Sequence, residues 1–291
     1  MRKGNGTRFA RLGLPWVVTS YIVAAAIVIG VLASPVAALA LGIPAIILAG
    51  LLAYGIFHPG SSLLYPTVTH GPRERACVAL TFDDGPDPEV TPRVLDALAR
   101  HGAHATFFVI GRALAEQPEL ARRIAAEGHT LGNHSWRHSR RQNFYRRKNF
   151  EREIERGEEA ICALTGESQP LYRPPIGIKS PALARIAYRR GMRVVAWSLH
   201  GRDTHERGSE RIAARILKKV RPGDIILMHD GHDLPGKNRP ACAEAVELIL
   251  QGLKKRNLDC VTLPELLQPA SHLQTDTAPH GNLTPHAPNL K

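Results

Sequence analysis

Cysteine is scarce in this chain: four residues among 291, Cys77, Cys162, Cys242 and Cys260, with no Cys-x-x-Cys pair. Their apolar or helical contexts read as buried thiols, with little support for a cysteine-built zinc module or a disulfide framework. Acidic residues are outnumbered, 26 against 38 basic ones, for a net charge of +12. No recognisable nucleic-acid-binding motif accompanies that charge, so nucleic acid is not expected as a partner. Internal repeats are absent. So is any charge between Arg11 and His58. A soluble domain has no need of such a stretch, and it is the first positive feature of the chain.

A bilayer core takes about 20 apolar residues per helix. Residues 15–57 therefore suffice for two crossings, about 15–33 and 36–57, separated by Ser34-Pro35. A cleaved leader is the competing reading, with Arg2, Lys3, Arg8 and Arg11 as its basic end and Ala38-Leu39-Ala40 as a small-residue cleavage site. The apolar run continues well past that site, which favours a membrane hairpin. The basic segment 1–14 would stay on the cytoplasmic side. Two crossings return the chain there, so a multi-pass protein with a cytoplasm-facing domain is expected in the cell membrane.

Residues 58–75 are rich in Pro, Gly and Ser and read as a linker. From 76 to 268, short apolar runs alternate with helix-period stretches, the pattern of a parallel sheet covered by helices. Strands are expected at 76–82, 105–110, 129–133, 171–173, 193–198, 224–229 and 259–262. Thr91-Pro92 reads as a helix start, and Gly102, Gly128, Gly166 and Gly191 as helix stops. Residues 269–291 lack periodicity and read as a disordered tail.

Polar residues collect where these strands end. Asp83 and Asp84, in Thr81-Phe82-Asp83-Asp84-Gly85-Pro86, close the first; two adjacent carboxylates there are costly unless a cation or a catalytic task holds them. His134 and His138 follow the third strand, Arg173 ends the fourth, Asp203 lies past the fifth and His229 ends the sixth. In parallel barrels the site forms on that face. Between Arg137 and Arg156 lie Arg140, Arg141, Arg146, Arg147, Lys148 and Arg152. They read either as a solvated face or as a contact for anionic headgroups or a phosphate-bearing substrate.

As a set, these motifs resemble the polysaccharide deacetylase family with the NodB homology domain (carbohydrate esterase family 4). Thr81–Pro86 is similar to its first motif, His134–His138 to its second, Arg173-Pro174-Pro175-Ile176-Gly177 to its third and Leu227-Met228-His229 to its fifth. The resemblance spans about 76–268 and implies an α/β fold, a distorted (β/α) barrel, here preceded by the transmembrane hairpin. It implies a divalent metal, usually zinc, on Asp84, His134 and His138. Asp83 would be the general base, oriented by Arg173, and His229 the general acid, paired with Asp203. Leu227, Pro175 and Trp197 would belong to the substrate pocket. The fourth motif departs from the family pattern: in His200-Gly201-Arg202-Asp203-Thr204 a histidine stands for the first Asp and a threonine for a Trp that helps wall the acyl site. Ile176 stands where an aromatic is frequent. Trp197 or Trp136 could supply the wall instead.

The expected protein is a membrane-anchored, metal-dependent hydrolase of carbon–nitrogen bonds other than peptide bonds. It would remove an N-acyl group, foremost acetyl, from an amino sugar in a polysaccharide, oligosaccharide or lipid-linked glycan, with membrane lipids as further partners. The alternatives are a non-catalytic carbohydrate-binding membrane protein on the same fold and a deformylase of a lipid-linked amino sugar.

Overall fold

The structure, a computed structural model, describes residues 14–167, 169–206, 208–232 and 240–269. The expected N-terminal basic segment and C-terminal tail lie outside the described residues, apart from Leu14 and Pro269. The chain divides into two compact units, residues 1–54 and 55–291.

The first unit holds α1 (Leu14–Ala33) and most of α2 (Pro35–Phe57), which breaks from α1 at Ser34 and contains Pro44. A hairpin of two crossings is not shown. Among the described residues one segment, Leu39–Phe57 (19 residues, mean hydropathy 2.2), is long and apolar enough to cross a membrane. In α1 the described apolar stretch is the shorter Tyr21–Gly30.

The second unit is a parallel sheet clad in helices. Its strands are β1 (Thr67–Val68), β2 (Cys77–Asp83), β3 (Thr106–Val109), β4 (Thr130–Asn133), β5 (Leu171–Tyr172), β6 (Arg193–Val195), β7 (Leu199–His200), β8 (Ile225–His229) and β9 (Asp259–Cys260). Its helices are α3 (Thr91–Arg100), α4 (Gly111–Glu116), α5 (Pro118–Ala126), α6 (Arg147–Thr165), α7 (Pro181–Arg189), α8 (Ser209–Leu217), α9 (Pro240–Lys254) and α10 (Leu263–Leu266). The strand order is β1-β6-β5-β4-β3-β2-β8-β7, with β9 pairing β2 off this path. The sheet is thus a half-barrel with two ends, β1 and β7, rather than a closed ring.

β2 lies inside the sheet, between β3 and β8, and every residue of Cys77–Asp83 is buried. A run apolar on both faces requires cover on both. Phe82 stacks on Phe107 of β3 at 4.9 Å between ring centroids. Leu80, Phe82, Phe107 and Met228 pack into one core cluster with Leu95 and Leu98 of α3 and Val246, Ile249 and Leu250 of α9. Helix ends fall at the expected glycines, with positive φ at Gly102, Gly128, Gly166 and Gly191. Thr91 is not the cap expected of it. Val90 holds that position, and the Thr91 hydroxyl instead accepts from the Asp87 N–H (2.8 Å) and donates to the Asp230 carboxylate (2.6 Å).

The segment 58–75, expected as a linker, is folded onto the domain. Thr67 and Val68 pair in register with Val194 and Val195, and the Tyr65 hydroxyl donates to the Met192 carbonyl (3.0 Å). Arg73 bonds Asp224 at 2.8 Å. The buried Lys179 ammonium donates to the carbonyls of Pro59 (2.7 Å) and Ser61. Proline and serine hide this from a composition reading, because the bonds that order the segment reach more than a hundred residues away. Replacing Lys179 with Met leaves those carbonyls without their donor and should lower the unfolding free energy by about 1–2 kcal/mol, measured by urea denaturation; an unchanged midpoint would show the segment to be dispensable.

Candidate active site

Strands β2, β4, β5, β7 and β8 run parallel and end at one edge, so the residues after them converge there. Asp83 lies in register with His229 on one side and Phe108 on the other. The resulting cleft, about 270 Å³, is lined by Asp83, Asp84, His134, His138, Asp203 and His229 among others. Six non-glycine residues of the described chain have left-handed φ, and five of them belong to the loops of this edge: Asp84, Ser135, His138, Ile176 and Arg202. Such conformations cost free energy and persist where the surroundings over-determine them.

Asp84, His134 and His138 are all buried, and one ligand atom from each lies within 4.8 Å of the others. Asp84 Oδ1 is 3.6 Å from His134 Nε2 and 3.3 Å from His138 Nε2. The His134 Nδ1–H donates to the Arg173 carbonyl at 2.7 Å. A carbonyl can only accept, so neutral His134 presents an Nε2 lone pair to the Asp84 oxygen. Two lone pairs facing at that distance repel unless a cation or a proton lies between them. The residues therefore fit a metal ion, and two imidazoles with one carboxylate form a donor set that leaves coordination open. Electrostatics agree. Burial opposes ionisation of Asp84, yet its pKa is lowered, because the neighbouring His134, His138 and His229 outweigh it. Burial also opposes protonation of His134, whose pKa is nevertheless raised by Asp83 and Asp84.

Two polar pairs flank this cluster. The Arg173 guanidinium has 0% exposure. It donates to Asp83 Oδ1 (2.6 Å), the Thr81 hydroxyl (2.9 Å) and the Ala196 carbonyl (3.0 Å), over the Phe108 ring at 4.0 Å. Burial lowers its pKa, with Asp83 opposing. On the other flank, Asp203 accepts the His229 backbone N–H (2.7 Å) and lies 3.2 Å from His229 Nδ1. This bond directs Nε2 away from Asp203. Burial works against the imidazolium, but Asp203 outweighs it and the pKa of His229 is raised.

Of the expected pocket residues, Leu227 and Trp197 line the cleft. Pro175 is buried and does not; its neighbours Ile176 and Gly177 do. Trp136 is no substitute wall: it sits against Gly111 and under the Arg156 guanidinium, 4.1 Å from the ring centroid. Thr204 lines the cleft and is exposed, its hydroxyl 2.7 Å from His205 Nδ1. Sequence reasoning missed four contributors. Buried Glu153 binds Arg137 (2.6 Å) and accepts its backbone N–H (3.1 Å), which ties the His134–His138 loop to α6. Asp230, whose carboxyl burial pushes up to about 7, accepts from Thr91 and fills the space where a Cβ on Gly85 would stand. Arg140 and Arg202 line the cleft. An acid three positions into a helical period, or the residue after a motif histidine, gives no signal of such contacts.

Comparison with known proteins agrees with this geometry. The sequence profile described as "Polysaccharide deacetylase" matches residues 70–195. A peptidoglycan-N-acetylglucosamine deacetylase of Bacillus cereus is 38% identical over 199 residues, covering 68% of this chain and 91% of that protein. A chitooligosaccharide deacetylase of a Bradyrhizobium species is 37% identical over 199 residues, covering 65% of this chain and 90% of the relative. The crystal structure of the Bc1960 peptidoglycan N-acetylglucosamine deacetylase superposes with a TM-score of 0.66 at 33% identity, over 69% of this chain and 92% of its own. A family 4 pseudoenzyme of Bacillus anthracis, BA3943, superposes at 0.63 with 25% identity, over 70% and 69%. With relatives matched over nine-tenths of their length and strand-end residues gathered in one cleft, this chain belongs to the polysaccharide deacetylase family, hydrolases of carbon–nitrogen bonds other than peptide bonds.

Proposed function

We propose that the protein is a metal-dependent N-deacetylase of glycans that contain N-acetylglucosamine. One observation carries this reading: the Asp83–Arg173 and Asp203–His229 pairs flank the Asp84, His134 and His138 cluster within a single cleft. A divalent metal, zinc by its donor set, would be held by those three residues and would supply Lewis acidity to the amide carbonyl and the attacking water.

Asp83 then takes the proton from the attacking water. Its Oδ1 is engaged by Arg173, which orients the carboxylate and leaves the other oxygen, Oδ2, to act as base. His229, held cationic by Asp203, gives its proton to the departing amine as the C–N bond breaks, leaving acetate and a free amino sugar. For the oxyanion, the loop Arg173–Gly177 has one suitable backbone donor. Pro174 and Pro175 have no N–H, that of Arg173 goes to Asn133 and that of Gly177 to Pro174, which leaves the Ile176 N–H at the cleft. Leu227, Ile176 and Trp197 would enclose the acyl methyl in the absence of the family's tryptophan at position 204.

The similarity to a pseudoenzyme and the altered fourth motif favour a second reading, sugar binding without turnover. Against it, base and acid are both present with their orienting partners. Asp83→Asn should cut acetate release from chitooligosaccharides by about a thousandfold while zinc affinity, measured by calorimetry, stays within a few-fold. Normal rates in that variant would refute the mechanism, and absence of acetate release from the wild type would favour the binding protein.

We also propose that Leu39–Phe57 anchors the enzyme in the membrane, and that a second crossing within 15–33 keeps the domain on the cytoplasmic side, where lipid-linked amino sugars are in reach. A green fluorescent protein fused after Lys291 should fluoresce and an alkaline phosphatase fused there should be inactive; the reverse pair of results would mean a single crossing.

A further inference from the structure

A second groove, about 660 Å³, adjoins the catalytic cleft at the β7 end of the sheet. His200 and Arg202 line both, so the two are continuous. The groove is also lined by Arg211, Arg215, Lys218 and Lys219 and, among the described residues, by no acidic side chain. Arg211 is paired with Glu206 (2.9 Å) and Arg215 donates to the Gly201 carbonyl (3.1 Å). Among the described residues, no carboxylate lies at ion-pair distance from Arg202, Lys218 or Lys219.

This arrangement has a cost within the fold. Arg211, Arg215 and Lys218 follow one another at helical spacing along the face of α8 opposite the buried Ile212, Ala213 and Ile216. Like charges four apart on a helix repel. Favourable interaction with the helix C-terminus accounts for Lys218 and Lys219, but not for Arg202, which comes from another loop and is held there in a left-handed conformation (φ 60°). Within the catalytic cleft the carboxylates already have partners: Arg173 on Asp83, His229 on Asp203 and, for Asp84, the cation that it and the two histidines fit. The excess charge of the groove is therefore not needed to balance the site. Instead it makes a field of one sign leading to the reacting residues.

We propose that this groove is an anion-binding subsite, which takes a phosphate or carboxylate group carried by the same glycan whose amino sugar enters the cleft. The identity of that glycan rests on the deacetylase reading; the anion preference does not. Guanidinium and ammonium groups recognise both anions by charge-assisted hydrogen bonds. A phosphate would come from a lipid-linked or sugar-phosphate substrate, a carboxylate from an acidic wall glycan.

Binding of matched probes to the detergent-solubilised full chain tests this at low salt. N-acetylglucosamine 1-phosphate is compared with N-acetylglucosamine, and the disaccharide of N-acetylglucosamine and N-acetylmuramic acid with diacetylchitobiose. At least one anionic probe should bind about tenfold tighter than its neutral match, and the pair that does so identifies the source. That ratio should fall towards one in Lys218→Glu/Lys219→Glu, fall part of the way in the milder Lys218→Gln/Lys219→Gln, and shrink as salt rises from about 50 to about 500 mM. Ratios near one in the wild type, or ratios untouched by both double variants and by Arg202→Gln, would overturn the proposal. So would a single-stranded oligonucleotide that binds through these residues while anionic sugars show no preference. Acetate release is followed in parallel. Preference without acetate release defeats the deacetylase reading alone, and acetate release without preference defeats the groove alone.

Discussion

Arg173 carries its charge where no water reaches it, between the Asp83 carboxylate and the Phe108 ring. A buried charge of this kind is tolerable only when paired, and removing one partner leaves the other stranded at a cost of several kcal/mol. The main chain of the same residue is bonded on both sides. The N–H bonds the Asn133 carbonyl, which holds the end of β5 to the end of β4, and the carbonyl accepts from His134 Nδ1. One residue thus orients the Asp83 carboxylate, selects the tautomer of His134 and joins two strands. The catalytic geometry and the sheet edge are held by the same contacts.

Around that anchor the edge is built from strained loops on rigid strands. Asp84, Ser135, His138, Ile176 and Arg202 all adopt left-handed backbone where no glycine relieves them. Each lies within a few residues of a strand end whose ladder is buried, so the sheet supplies the stability that the loops use. Behind the loops, Glu153 on Arg137 and Asp230 on Thr91 restrain the histidine segment and the Asp-Asp-Gly turn. Such supporting bonds keep ligand side chains in place before any metal or substrate arrives.

Two of the three departures from the family pattern, His200 and Thr204, lie at the end of edge strand β7 and in the loop after it, where the basic groove begins; the third, Ile176, follows β5. Asp83, Asp84, His134, His138, Arg173 and His229, at and after the ends of β2, β4, β5 and β8, match the family motifs, and Asp203 matches from within the edge loop itself, so that loop carries both a matching residue and the departures.

That Asp83, Asp84, His134, His138, Arg173, Asp203 and His229 gather at one edge could be read from the chain alone, because they follow apolar runs whose burial obliges them to be parallel strands, and parallel strands end at one edge. The same reading located the helix stops at Gly102, Gly128, Gly166 and Gly191, where φ is positive and a side chain would be strained. It failed where order depends on partners distant in sequence. Segment 58–75 looked like a linker because Lys179, Met192 and Asp224 lie too far along the chain to be associated with it. Thr91 does not cap α3 because the direction of a side chain depends on what packs against it. The basic groove was invisible for the same reason: Arg202 and Lys219 lie 17 positions apart, and only the crossing of β7 and α8 brings them to one surface. Sequence determined which side chains gather and at which edge; tertiary structure decided which charges meet, because contact between remote segments is a property of packing and has no local period to announce it.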